Sequence, residues 1–392
     1  MGRIYHITGM GAVKITTGII AEFNPLHKGH LHLITRALSH SGSCVAVLSG
    51  NFTQRGSPAI VDKFTRSRMT LEAGADLVLE LPFLFACAAG HDFARGAVSL
   101  LGKTGFADTI AFGMETPDAD VTSLLLSEES ESFTRRLRLE LGRGASYPKA
   151  YALALEAVCP GAGEFISQPN NMLALSYVRE IHRHIYNQKV LAVKREGDFS
   201  SRAVREDLQG NADMMPEFAR KILAGAELSD EAKLWPLLQS VFIRSKPQDL
   251  REIYGIDEGI EGLFLKHWRD SQSLDDFIGR CVCARYTRSH IRRRLVYILL
   301  GLYRQEVMKA LREGVPYARV LAFNDKGREI LRKPSGLRVI TSLAEVRGNY
   351  FAEVERKASQ LYELTLPKPD MNRESRKPCI IHSFPNTKEK YL

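Results

Sequence analysis

Residues 18–30, Gly-Ile-Ile-Ala-Glu-Phe-Asn-Pro-Leu-His-Lys-Gly-His, constrain this chain more than any other stretch. The apolar run 18–23 reads as a short β-strand. Asn24-Pro25 ends it in a proline-fixed turn. Leu31, Leu33, Ile34, Ala37 and Leu38 then recur at helical spacing. Strand, turn and helix in that order open a parallel α/β unit. The new helix offers free N–H groups and the positive end of its dipole, which suits a phosphate. Gly29 would let that phosphate approach the backbone. His27 and His30 can donate to phosphate oxygens and to the charge that develops when an α-phosphate is attacked. A bare H-x-G-H also arises by chance, as a solvated turn plus a core-facing ring. The strand before it and the helix after it favour the phosphate reading.

The alternation continues through the first half, with strands expected at 44–49, 77–81, 109–112 and 190–193. Helices are expected at about 30–40, 62–73, 92–101, 119–141, 148–158 and 170–187, with Gly42, Gly74 and Gly102 at C-cap positions. This pattern predicts an α/β fold with a doubly wound parallel sheet, whose ligands bind at the carboxyl ends of the strands. The second half reads as mainly helical, at about 216–224, 229–244, 258–271, 274–283, 287–312, 325–332 and 350–363, with one strand at 337–340 and a loose polar tail after Pro367. A chain of 392 residues exceeds one ordinary core of about 250–300 residues. Two domains are therefore expected, a phosphate-binding catalytic domain at 1–210 and a mainly helical, basic domain at 211–392.

Charge supports that division. Residues 1–210 carry 22 Lys/Arg against 21 Asp/Glu, and residues 211–392 carry 32 against 24, so nearly all of the net +9 lies in the second half. A near-neutral half beside a basic half points to a polyanionic partner for the latter. The most apolar candidate for a membrane span, 77–89, is interrupted by Glu80 and Pro82, and residues 1–14 lack the series of a secretion signal. Six scattered cysteines form no C-x-x-C pair and read as free thiols of a reducing, cytoplasmic compartment. No metal-ligand cluster stands out, so Mg2+ is expected to be held mainly through nucleotide phosphates.

Further candidates lie where strands end. In the loop 49–59, Asn51, Gln54 and Arg55 supply amide and guanidinium donors for a substrate clamp, or a solvated loop. Asp62 reads as a helix N-cap; Lys63 and Arg66 behind it either contact phosphate or are solvated, and spacing does not decide. Gly113 would let an adenine or ribose lie on the backbone. Asn170 and Asn171 open a helix behind Pro169 and can read a base edge or serve as caps. Arg195 follows the fifth strand, and Ser200 and Arg205 sit at a helix start suited to β- and γ-phosphates. Residues 280–294 hold six arginines and no acid. Arg285, Arg288 and Arg292 are expected on one helix face toward an RNA backbone, with Tyr286 free to stack on a base, although a solvated face is the alternative.

The motifs E-F-N-P-L-H-K-G-H (22–30), S-G-N-F-T-Q-R-G-S-P-A (49–59), D-L-V-L-E-L-P (76–82), F-G-M-E (112–115), P-N-N (169–171), R-Y-T-R-S-H-I-R-R (285–293) and R-V-L-A-F-N-D-K-G (319–327) closely resemble those of the bacterial tRNA(Met) cytidine acetate ligases, a branch of the nucleotidylyltransferase superfamily. The resemblance spans both halves. It implies a nucleotidylyltransferase-like fold, formation of acetyl-adenylate from ATP and acetate, and transfer of acetyl to N4 of the wobble cytidine of elongator tRNA(Met). It implies ATP contacts along Ile20, Ala21, Glu22, Phe23, Asn24, Pro25, Gly29 and Leu33, at Gly113, at Asn170 or Asn171, and at Arg195. It departs at one place: the link 196–199 is short, and Arg202 stands where the family usually has threonine. A small-molecule adenylyltransferase and a non-catalytic ATP- and RNA-binding protein are the rival readings, and the oligomeric state stays open.

Overall fold

The computed structural model describes residues 15–184 and 186–381. The N-terminal segment 1–14, and the part of the expected loose tail beyond 381, lie outside the described residues. Among the described residues, eight strands form one sheet: β1 (Thr17–Ala21), β2 (Cys44–Ser49), β3 (Leu77–Leu81), β4 (Thr109–Met114), β5 (Lys189–Lys194), β6 (Ala318–Phe323), β7 (Val339–Ile340) and β8 (Ile380–Ile381). The order is β5-β4-β1-β2-β3-β6-β7, with β8 also on β6, and every pairing is parallel except β3 with β6.

The strands of the first half are almost wholly apolar because helices cover both faces of the parallel core. β1 sends its chain toward β2 on one side, whereas β4 lies on the other. The crevice between the carboxyl ends of β1 and β4 is therefore a topological switch point, where a ligand meets diverging loops.

Several boundaries differ from expectation. The expected helix 119–141 is two helices, Val121–Glu128 and Glu131–Gly142. The expected helix 287–312 breaks at left-handed Gly301 into Arg288–Leu300 and Arg304–Glu313. Gly42 caps its helix as expected, but Gly105 takes the role expected of Gly102, and Ala73 precedes Gly74.

Residue 210 does not mark the edge of the sheet. β6, β7 and β8 of the second half extend it, and part of the tail after Pro367 is packed rather than loose. The join is polar and buried. Glu80 of β3 lies directly opposite Arg319 of β6, with Nη1 donating at 2.8 Å. Lys63 Nζ meets Glu80 at 2.5 Å, Glu374 at 2.8 Å and Glu355 at 3.2 Å, and Arg319 also pairs with Glu374. Burial, with Glu80 next to it, raises the Glu355 carboxyl to about 8. Glu374 is held well below the usual carboxylate range by Lys63 and Arg319, against the opposing effect of burial.

Candidate active site

His27 ends the turn after β1 and caps the helix Lys28–Ser41. Its Nδ1 accepts the His30 N–H at 3.3 Å, and His30 Nδ1 accepts the His27 N–H at 3.3 Å. The two rings stack with centroids 3.6 Å apart. Burial, assisted by Arg195, lowers the His27 imidazole to about 4; burial, then His27 and Arg195, lower His30 well below its ordinary value. Both rings are therefore neutral near pH 7. With each Nδ1 accepting a backbone N–H, each proton sits on Nε2, which makes two neutral donors at a helix start. Arg195, the helix dipole and the free N–H groups supply positive potential there.

The turn itself is over-determined. Phe23 adopts φ +46°, which costs about 1–2 kcal/mol for an L-residue. Its ring lies 4.8 Å from His30. Asn24 Oδ1 accepts the Ile60 N–H at 2.7 Å, and the Asn24 carbonyl accepts from Arg205. Ser201 Oγ donates to the Pro25 carbonyl at 3.1 Å, and Ser200 caps its own helix through Ala203 N–H. The short link 196–199 thus still delivers the helix Ser201–Glu206 onto the turn. Arg202 points to solvent and pairs with Glu206 at 2.7 Å. Gly29 faces the His27 ring, whose Cε1 would stand 3.1 Å from an added Cβ.

The neighbouring strand ends complete the crevice. A Cβ on Gly113 would lie 3.4 Å from Arg195 Cγ, and Arg195 Nε is 4.0 Å from Glu115 Oε1. Glu115 also accepts from Asn170 Nδ2 at 2.5 Å and from the Asn171 N–H at 3.1 Å. The two asparagines then separate. Asn171 is 0% exposed; its Oδ1 accepts the Glu115 and Thr116 N–H groups, and its Nδ2 donates to Thr116 Oγ1 and the Phe165 carbonyl. It is a fully satisfied clamp on the end of β4, so only half-buried Asn170 is left to meet a ligand.

Glu22 Oε1 accepts the Gln54 N–H at 2.6 Å, and burial raises its carboxyl despite Arg66, Arg55 and Arg205 nearby. Ala21, Gly29, His30, Leu33, Ser200 and Arg205 are half-buried around the turn, whereas Ile20, Phe23, Asn24 and Pro25 are buried supports.

Three expectations for the polar loop and its helix are corrected. Lys63, 0% exposed, sits inside the buried carboxylate cluster and reaches no phosphate. Arg66, equally buried, spends its guanidinium on the carbonyls of Val61, Glu22, Ser49 and Gly50, fixing the ends of β1 and β2. Asn51 is buried and accepts the Lys63 N–H at 2.9 Å. Gln54 is half-buried and gives its backbone N–H to Glu22 and its carbonyl to Arg293; these bonds do not engage the side-chain amide expected to serve as a donor. Arg55 alone of this group is exposed. Asp62 is the N-cap expected of it.

The arginine run is also different in space. Arg285 precedes the helix Arg288–Leu300, so it shares no helix face with Arg288 and Arg292. Acids from other elements meet the run: Glu258 with Arg285, Asp275 with Arg288 and Arg292, and Glu231 with Arg292 at 3.0 Å. Tyr286 is buried and donates to the Glu258 carbonyl, so it does not stack on a base.

The residues missed by sequence reasoning are Glu115, which stood within the F-G-M-E motif, and Phe199, whose ring stacks 6.3 Å from His27. Among the described residues, no group of three or more His, Cys, Asp or Glu side chains could hold a metal ion. No helix among them is long and apolar enough to cross a membrane.

The family model described as HIGH Nucleotidyl Transferase matches residues 14–377. A tRNA(Met) cytidine acetate ligase of Clostridium perfringens is 33% identical over 91% of this chain and 97% of its own length. One of Fervidobacterium nodosum is 34% identical over 88% and 87%. The chain belongs to the tRNA(Met) cytidine acetate ligase family. The crystal structure of Thermotoga maritima TmcAL bound with alpha-thio ATP superposes with a TM-score of 0.85 at 28% identity, covering 94% of this chain and all of that one. Its apo form gives 0.86 over the same shares. The fold over nearly the whole chain is thus that of this ligase family.

Proposed function

We propose that this chain activates acetate with ATP and transfers the acetyl group to N4 of the wobble cytidine in elongator tRNA(Met). In the first step an acetate oxygen bonds to the α-phosphorus, the bond to the bridging oxygen breaks, and pyrophosphate leaves. Acetate is already ionised at neutral pH, so this step needs positioning and charge stabilisation rather than a base. In the second step N4 attacks the acetyl carbon, the bond to AMP breaks, AMP departs with the electron pair, and the amine proton is released.

The observation that carries this reading is the neutral histidine pair at the β1–β4 switch point, with Nδ1 of each ring engaged by backbone and Arg195 beside them. His27 and His30 donate to the α-phosphate as its charge grows. Arg195 and Asn170 hold the nucleotide above Gly113, while Ser200 and Arg205 reach toward the triphosphate end. Mg2+ would supply charge neutralisation on the phosphates. Basic groups that remain exposed, Arg55 with Arg285 and Arg288, are the surface offered to the tRNA backbone.

Incubation with labelled acetate, ATP and elongator tRNA(Met), followed by nucleoside analysis, tests the proposal. It expects label in N4-acetylcytidine at the wobble position; adenylate formation without labelled cytidine would overturn the acceptor, and label in no product would overturn the reading.

A further inference from the structure

The two histidines are the middle of a row of four rings, in which His30, His27 and Phe199 stack and Phe23 is tilted against His30. Phe23 lies against His30, His30 against His27, and His27 against Phe199, with centroids 4.8, 3.6 and 6.3 Å apart. Phe23, the inner end, is buried; Phe199, the outer end, is half-buried. The segment that carries Phe199 is tied on both sides. Arg195 Nη2 donates to the Phe199 carbonyl at 3.3 Å, and Glu196 meets His32 at 3.3 Å. Downstream, Ser201 and Arg205 hold the carbonyls of Pro25 and Asn24. Gly197, at φ +67°, lies under the ring: a Cβ there would stand 2.6 Å from Phe199 Cε2. On the other side, an added Cβ at Gly29 would lie 3.6 Å from Phe199 Cβ. An apolar ring is therefore fixed beside the donors that face the α-phosphate.

An acid attacking that phosphorus turns its carboxylate toward the histidines and its alkyl end away from them. We propose that Phe199 is the wall that meets this alkyl end, so that the site takes a two-carbon acid and rejects longer ones. The inference rests on the adenylate reading above. It also gives a use to the short link 196–199, which places this ring.

Acid-dependent exchange of labelled pyrophosphate into ATP, run with acetate, propionate and butyrate, tests it in the full chain and in F199A and F199L. One methylene at a fitted apolar wall is worth about 10–200-fold in kcat/KM. F199A is expected to raise the propionate-to-acetate ratio of kcat/KM by about tenfold or more, with F199L between it and the unsubstituted chain and the KM for ATP unmoved. An unchanged acid ratio in F199A and F199L would overturn the inference alone, as would a change confined to the KM for ATP. Absence of acid-dependent exchange in the unsubstituted chain would overturn the adenylate reading and this inference together. F199L keeps an apolar side chain, so a folding defect in F199A leaves the ratio measurable.

Discussion

At the scale of single residues, the candidate site holds its two histidines uncharged. Burial lowers His27 to about 4 and His30 well below its ordinary value. A limb near pH 6.5 is thus not expected in the adenylation rate, and a pH profile between 5 and 8 checks this; a limb there would show imidazolium chemistry instead. The same shift enters stability. Both histidines bind protons more weakly in the folded chain, so the stability they carry is complete above about 6.5 and is lost as pH falls toward 4. The two asparagines make a second residue-scale prediction. N171A removes a buried amide with four hydrogen bonds and should lower stability by about 2–3 kcal/mol in chemical denaturation. N170A should leave stability nearly intact and raise the KM for ATP. The reverse pattern would reassign the ligand contact. Sequence could not separate them, because adjacent helical residues of identical chemistry differ only in the direction that the helix turns each one.

At the scale of elements, the buried cluster between β3 and β6 decides how the sheet is completed. Glu80 in an otherwise apolar strand was visible as an oddity, but its partner Arg319 lies 239 residues away. That distance explains why β6 escaped the sequence reading: an arginine interrupts its apolar run, and only the cross-strand carboxylate makes it a core residue. The strands β1 to β5 were legible because each carries a run of apolar residues. The arginine run misled for a related reason, since Asp275, Glu231 and Glu258 reach it from other elements. Glu355, with a folded value of about 8 against an ordinary 4.5, contributes stability that is full below about 4.5 and is lost as pH rises through 8. E355Q should therefore flatten the decline in denaturation free energy between pH 6 and 9; an unaltered decline would place the titration elsewhere. Replacing Arg288 and Arg292 by glutamine should weaken tRNA binding and reduce its salt slope by about two at most. A slope that does not move would leave these arginines to their acidic neighbours.

At the scale of the whole molecule, catalytic and basic halves share one sheet. Arg319 and Glu374 neutralise charges that the first half buries, Glu355 accepts a hydrogen bond from Lys63, and β6 covers an edge that β3 would otherwise expose. Removing one side of a buried ion pair costs about 3–5 kcal/mol. A fragment of residues 1–210 should show no cooperative thermal transition by circular dichroism, and a cooperatively folded fragment would contradict the account. The charge division at residue 210 does not coincide with an edge of the sheet, which strands of both halves build. The most direct test of the central claim is exchange of labelled pyrophosphate into ATP in the absence of tRNA, with and without acetate, in the unsubstituted chain and in H27A/H30A. The account predicts exchange that requires acetate and falls by about a hundredfold or more in the double variant; exchange that ignores acetate, or that survives loss of both histidines, would contradict it.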